Sequence, residues 1–271
     1  VLIDTHCHLD AAEFDPDRDE VVEAAQRAGV GCILMPAVHR ANFSTVARLA
    51  ASRDGLCYAL GIHPLAVDQS HEADLLTLRD RVRASLSDPR FVAIGEIGLD
   101  HFVPGLDRDR QERFYVAQLQ IAREFDLPVL LHLRRAQDQV LKHLRRLGVR
   151  QGIAHAFNGS QQQADALVSQ GLVLGLGGAL TWPRALQIRR LVRAVPEDGF
   201  VLETDAPDIP PIWRGRERNT PDQLPQIAAC VADLREASLA QVIAASTAAA
   251  CRVLPRLSAG LKPTQGSPPD R

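Results

Sequence analysis

Aromatic residues make up only 4% of this 271-residue chain, so a core of this size cannot be built on Phe, Tyr and Trp. It must be aliphatic, drawn from Val, Leu, Ile and Ala within a hydrophobic total of 46%, and that composition suits buried parallel strands. Charge of one sign is missing as well. A net charge of −2 excludes a global pull toward nucleic acid and requires any recognition of a phosphate polymer to be local. Lysine is nearly absent: Lys142 and Lys262 stand alone among 31 basic residues. Cys7, Cys32, Cys57, Cys230 and Cys251 are odd in number and show no C-x-x-C pair, which argues against a disulfide framework and for a reduced, cytoplasmic protein with packed thiols. No apolar run is long enough to span a bilayer. The opening Val1-Leu2-Ile3 stops at Asp4, too short for a signal peptide. Internal linkers, repeats and low-complexity inserts are lacking too. The expectation is a single domain over residues 1–257, with the Gly-, Pro- and Ser-rich stretch 258–271 as a disordered tail.

What is present is alternation. Short apolar runs are predicted as strands over Val1–Thr5, Cys32–Pro36, Cys57–Ile62, Phe91–Ile97, Pro128–Leu133, Gly152–Ala156, Leu172–Leu176 and Phe200–Thr204. Stretches of helical period lie between them, for example Asp17–Ala28, Asn42–Arg53, Asp107–Phe125 and Arg134–Leu147. Gly29, Gly148 and Gly171 fall where helices end and the chain turns to the next strand. Eight strand–helix alternations imply an α/β fold with a parallel sheet, and eight is the number that closes a (β/α)8 TIM barrel. Residues 207–225, long and rich in Pro and Arg, read as a functional loop.

The chemistry gathers at strand ends. In Asp4-Thr5-His6-Cys7-His8, side chains at i and i+2 share a face, so His6 and His8 point one way and Cys7 the other. Two imidazoles so placed can seat a divalent ion. Glu96 follows Phe91–Ile94, His132 closes Pro128–Leu131, His155 closes Gly152–Ala154, and Asp205 follows Phe200–Thr204. Each candidate ligand thus sits at the C-terminal end of a predicted strand, where barrel enzymes place catalytic groups. Scattered structural histidines would not respect that rule.

Other polar residues have plainer readings. His143, beside Lys142 and Arg145, is expected on a solvated helix face, and His71 at an exposed helix start. His101 lies near the active rim. Glu203 shares a strand face with Asp205 and is either a buried carboxylate under the site or a functional group. Arg214, Arg216 and Arg218 form either a phosphate-tracking rim or an ordinary solvated loop.

The same stretches resemble the TatD-type metal-dependent deoxyribonucleases, with the YjjV-like branch nearest in pattern. The matching segments are IDTHCHL at Ile3–Leu9, GIHP at Gly61–Pro64, VAIGEIGLD at Val92–Asp100, LPVLLH at Leu127–His132, HAFNGS at His155–Ser160 and LETDAP at Leu202–Pro207, with Arg218–Pro221 fitting an Arg-Asn-x-Pro element. The resemblance implies that His6, His8 and Asp205 bind one metal ion and His132 and His155 another, with Glu96 bridging, and that His63 and Arg134 contact substrate. Leu133 departs from the pattern, which has a small polar or thiol residue there. Asn158 and Arg218-Asn219-Thr220-Pro221 also vary around it.

Two divalent ions would outweigh the charges of Glu96 and Asp205 and leave a centre suited to an anionic phosphodiester. Such a pair can acidify water, polarise a phosphoryl oxygen and stabilise a leaving oxyanion. Asp205 is then placed to act as general base, and Arg134 offers paired donors to phosphate. The expected substrate is DNA, with RNA a possible second, acted on by 3'-5' exonuclease or end-processing activity, and the protein is expected to be a monomer. The metal is left open among Mg, Mn and Zn, because imidazole favours the last two while the resemblance implies magnesium. The rival is an amidohydrolase or lactonase on the same barrel. Many of those bridge their ions with a carboxylated lysine, and neither Lys142 nor Lys262 is placed for it. A non-catalytic protein keeping a structural metal is the third reading, disfavoured because a structural site needs only four closed ligands.

Overall fold

The computed structural model describes residues 1–257, so the tail expected to be disordered lies outside the described residues. Eight parallel strands run in sequential order, β1 (Leu2–Asp4), β2 (Val30–Pro36), β3 (Leu56–Leu60), β4 (Phe91–Asp100), β5 (Val129–Arg134), β6 (Gly152–Ala154), β7 (Leu172–Leu176) and β8 (Phe200–Leu202). Backbone bonds from Thr5 N to Leu202 O (3.1 Å), Asp205 N to His6 O (2.8 Å) and His8 N to Ala206 O (2.7 Å) join the last strand to the first and make the cylinder. The fold is a (β/α)8 TIM barrel. Helices α1 (Arg18–Arg27), α2 (Phe43–Ser52), α3 (Glu72–Ser85), α4 (Arg108–Glu124), α5 (Gln137–Leu147), α6 (Gln161–Ser169), α7 (Leu186–Ala194), α8 (Leu224–Arg235) and α9 (Leu239–Val253) complete it.

Strand parity sorts the aliphatic core into two layers. Ile3, Leu34, Leu130, Ile153, Val173 and Val201 fill the barrel interior, where Ala249, Val253, Leu254 and Leu257 plug the floor from α9 and the segment after it. Their neighbours Leu2, Ile33, Leu131, Leu174 and Leu202 face outward against the helices. Continuing the inward parity by two residues leads from Leu130 to His132, from Ile153 to His155 and from Val201 to Glu203. The interior is therefore aliphatic at the floor and ionisable at the mouth.

The predicted strands exist, with shifted ends. β4 runs on to Asp100 rather than ending at Ile97, so Glu96 lies in mid-strand rather than at the strand's end, beside a register shift between Ile94 and Ile97. The helix expected from Arg134 starts at Gln137, because Arg134 still belongs to β5 and Arg135 takes a left-handed φ of 56°. Gly148 closes α5 at φ +69°, as its position implied. His143 contradicts its expectation. It is buried at 2% exposure, with Nε2 2.6 Å from Glu112 Oε1, because α5 packs its Val140–Leu144 stripe on α4 and the Glu112 carboxylate meets the ring there. His71 is exposed at the start of α3, as expected.

Candidate metal centre

The six predicted ligands converge at the C-terminal mouth of the barrel. His6 Nε2 lies 3.1 Å from Glu96 Oε2, 3.3 Å from His8 Nε2 and 3.7 Å from Asp205 Oδ1. His8 Nε2 is 3.6 Å from Glu96 Oε2 and 3.7 Å from Asp205 Oδ1. On the other side of the same carboxylate, Glu96 Oε1 is 3.0 Å from His132 Nδ1 and 3.4 Å from His63 Nε2. His155 stacks on His6 with ring centroids 3.5 Å apart, and its Nε2 is 3.4 Å from Asp205 Oδ1. The neighbours of His132 Nδ1 are thus Glu96 and His63, whose Nε2 is 3.1 Å away, while His155 has Asp205 beside it. His63, expected as a substrate contact, stands inside the cluster.

The donor set suits cations. Among the described residues, His6–His8–Glu96, His63–Glu96–His132 and His6–His155–Glu203 each offer three ligand-capable atoms within 4.8 Å of one another. Burial pushes the His6 and His63 imidazoles toward the neutral, lone-pair form. Burial alone would raise Glu96, yet His63 and His6 hold its carboxyl well below the usual range. Asp205 is likewise lowered against its burial, chiefly by His155. Ionised carboxylates in contact with the imidazole nitrogens of His6 and His63, held toward the neutral form, are what a divalent ion satisfies.

A second layer of carboxylates holds the ligands. Asp100 Oδ2 is 3.0 Å from His132 Nε2, and its Oδ1 accepts the backbone N–H groups of Phe102 (2.8 Å) and Val103 (2.9 Å). Glu203 Oε1 lies 3.1 Å from His155 Nδ1 and accepts the Ala156 N–H at 2.6 Å. Gly175 on β7 leaves room for it: a Cβ there would come within 2.2 Å of Glu203 Oε2. These partners outweigh burial and raise His132 and, further, His155 above the ordinary imidazole value. Asp4 supports the β8 end, accepting from Thr204 N (2.9 Å) and Oγ1 (2.6 Å). Sequence reasoning left Asp100 and Asp4 without roles. The signal for Asp100 was its parity with Glu96 on one strand.

The remaining candidates divide sharply. Arg134 lines the cavity, its guanidinium 3.7 Å from the centroid of the Phe102 ring. Leu133 and Asn158 line it too. Arg218 does not: it donates to both carboxylate oxygens of Asp17 (2.9 and 2.5 Å), and Arg214 donates to Arg218 O at 2.8 Å. Buried Asn219 donates to Thr204 O and Asp208 O. The Arg-Asn-x-Pro element thus pins the 207–225 loop to the barrel, and only Pro207, Asp208 and Ile209 of that loop line the cavity. Cys7 is buried, pairing by backbone with Ala206. His101 is absent from the cavity lining.

A family model described as TatD related DNase matches residues 3–255. The chain belongs to the TatD-related DNase family. It is a metal-dependent hydrolase of that family, acting on ester bonds. It is 38% identical over 235 residues to the uncharacterized metal-dependent hydrolase YjjV of Escherichia coli (strain K12), covering 86% of this chain and 90% of that protein. It is 31% identical over 267 residues to the Homo sapiens deoxyribonuclease TATDN3, covering 94% and 95%. The crystal structure of YjjV from E. coli K12 superposes with a TM-score of 0.90 at 36% identity, covering 94% of this chain and 98% of that one. A lactonase from Deinococcus radiodurans, at 14% identity and a TM-score of 0.64, shares the TatD-like barrel fold alone. No helix among the described residues is long and apolar enough to cross a membrane.

Proposed function

We propose that this TatD-family chain is a dinuclear phosphodiesterase that trims DNA from an end, with His6, His8, Glu96, His132, His155 and Asp205 holding two divalent ions. The observation that carries this reading is the placement of Glu96, which turns Oε2 to His6 and His8 and Oε1 to His132 and His63. One carboxylate between two nitrogen groups is the arrangement a shared ligand needs. Ions so bound supply an acidified water and a polarised phosphoryl oxygen. Asp205, ionised and at the mouth, accepts the proton of the attacking water. His63 and Arg134 bind the phosphate, Arg134 through planar paired donors. The imidazole-rich set favours Mn or Zn over Mg. The five free thiols suit a cytoplasmic protein, and we take it to act as a monomer.

The polarity of the mouth supports attack at an end. In a sequential ring, the β8–β1 seam stands opposite β4 and β5. On the seam side the cavity wall carries Asp10, Glu13 and Asp208; on the far side it carries Arg134 and Arg135. The cavity is about 1300 Å³. A polyanionic strand can enter over the arginines, but its continuation would meet the acidic wall. A strand terminus avoids that repulsion. RNA ends satisfy the same chemistry.

The test is to strip the protein of metal, reload it separately with Mg, Mn or Zn, and supply end-labelled linear and closed circular single-stranded DNA. Shortening of the linear strand from one end, an intact circle and no cleavage by Glu96→Ala are expected. Cleavage of the circle would contradict the end-directed part, and inertness toward every oligonucleotide the whole reading.

A further inference from the structure

Phe102 is out of place for a core residue. It is 43% exposed, the one exposed phenylalanine of the eight, all of which lie among the described residues. It lines the cavity on the side away from the acidic wall. Its backbone is fixed by Asp100, whose second oxygen contacts His132, so the ring has a set position relative to the centre. Two guanidinium groups flank the ring, Arg134 at 3.7 Å and Arg135 at 4.7 Å from its centroid. Other arginines, such as Arg18, Arg110 and Arg256, donate to backbone carbonyls, and Arg218 donates to Asp17. Among the described residues no hydrogen bond or ion pair engages the side chains of Arg134 or Arg135. Arg134 lies two residues beyond His132 on β5 and so shares its face. Exposed Leu65 (40%) adds further apolar surface to the rim.

An exposed aromatic ring beside guanidinium groups that lie over it, with their N–H groups free of any hydrogen bond or ion pair among the described residues, matches a nucleotide in both its parts. Bases stack on rings whatever their identity, and phosphate oxygens take paired N–H donors. We infer that Phe102 stacks the base of a nucleotide next to the scissile phosphate, while Arg134 and Arg135 bind the adjoining phosphate oxygens. The inference rests on the phosphodiesterase reading above and names the part of the substrate that this wall recognises. Stacking adds binding without base selectivity, so cleavage depends on the presence of a base rather than on which base it is.

The experiment uses metal-loaded full-length protein and end-labelled single-stranded oligonucleotides in which one abasic residue is walked inward from the attacked end. For the wild-type chain, one position is expected to raise KM on the order of ten-fold, the size of one lost stack. Phe102→Ala is expected to raise KM for the intact strand by a similar factor and to be indifferent to the abasic residue. Phe102→Trp keeps both the low KM and the abasic penalty, which separates stacking from misfolding. An unchanged KM for Phe102→Ala, or an equal abasic penalty in wild type and Phe102→Ala, overturns the inference while leaving phosphodiesterase activity in place. Failure of the wild-type protein to cleave any oligonucleotide overturns that reading and this inference together.

Discussion

His132 and His155 present opposite nitrogens to the centre: Asp100 occupies Nε2 of the first and leaves Nδ1 toward Glu96, whereas Glu203 faces Nδ1 of the second and leaves Nε2 toward Asp205. Asp100 therefore selects a tautomer and fixes a ring plane for His132, while Glu203 sets a negative charge beside Nδ1 of His155. Asp100→Asn and Glu203→Gln are expected to weaken metal binding about 10–100-fold each, measured by calorimetry on metal-stripped protein; affinities equal to wild type would remove the orienting role. The same contacts set a pH dependence. His132 and His155 are raised above the ordinary value of about 6.5, so in the metal-free fold their protonated forms are stabilised. That contribution is fully present below about pH 6.5 and fades as pH rises through the raised values. Metal binding needs the unprotonated rings and runs the other way. Apparent metal affinity should therefore keep increasing with pH above 6.5, tracked by titration at several pH values; a plateau already reached below 6.5 would contradict the assignment. The candidate ligands were legible in the sequence because each ends a strand run. Of their carboxylate partners, Glu203 was legible as a carboxylate under the site from the face it shares with Asp205, but its pairing with His155 and the whole Asp100–His132 contact were not, because they join different strands and leave no local spacing to read.

At the scale of elements, parity does most of the placing. A strand that starts with an inward aliphatic residue delivers an inward side chain two and four residues later, which is how β5 yields Leu130, His132 and Arg134 in turn. β4 departs from regular pairing between Ile94 and Ile97, and the close fit beyond that point is visible at Gly98, with φ +149° and a would-be Cβ 1.9 Å from His132 O. Gly98→Ala is expected to cost more than ~3 kcal/mol, read from denaturant unfolding; a cost under ~1 kcal/mol would show that β4 and β5 separate easily. Helix α5 teaches the opposite lesson. Lys142 and Arg145 beside His143 suggested water, but the burying partner of His143 is Glu112 on α4, a tertiary contact that helical period cannot foretell. His143→Ala should destabilise by roughly 1–3 kcal/mol while leaving metal stoichiometry unchanged.

For the whole molecule, the net charge of −2, the binding of Arg218 to Asp17 and of Arg214 to Arg218 O, and the absence of exposed Arg216 from the cavity lining leave the cavity's attraction for a strand to the Arg134–Arg135 wall. With two phosphate-facing cations, log Kd for single strands should rise against log salt with a slope of about 1.4, taking roughly 0.7 per neutralised phosphate. A slope near ~5 would require more basic residues than Arg134 and Arg135, the two arginines lining the cavity. The barrel thus separates tasks along its axis, an aliphatic plug from α9 at the floor and a charged, polarised mouth above it. The most direct test of the account is a crystal structure of Mn-loaded protein with anomalous scattering recorded at the manganese edge. Two peaks sharing Glu96, with His6, His8 and Asp205 among the ligands of one and His132 among those of the other, are expected; a single peak away from Glu96, or none at this mouth, would contradict it.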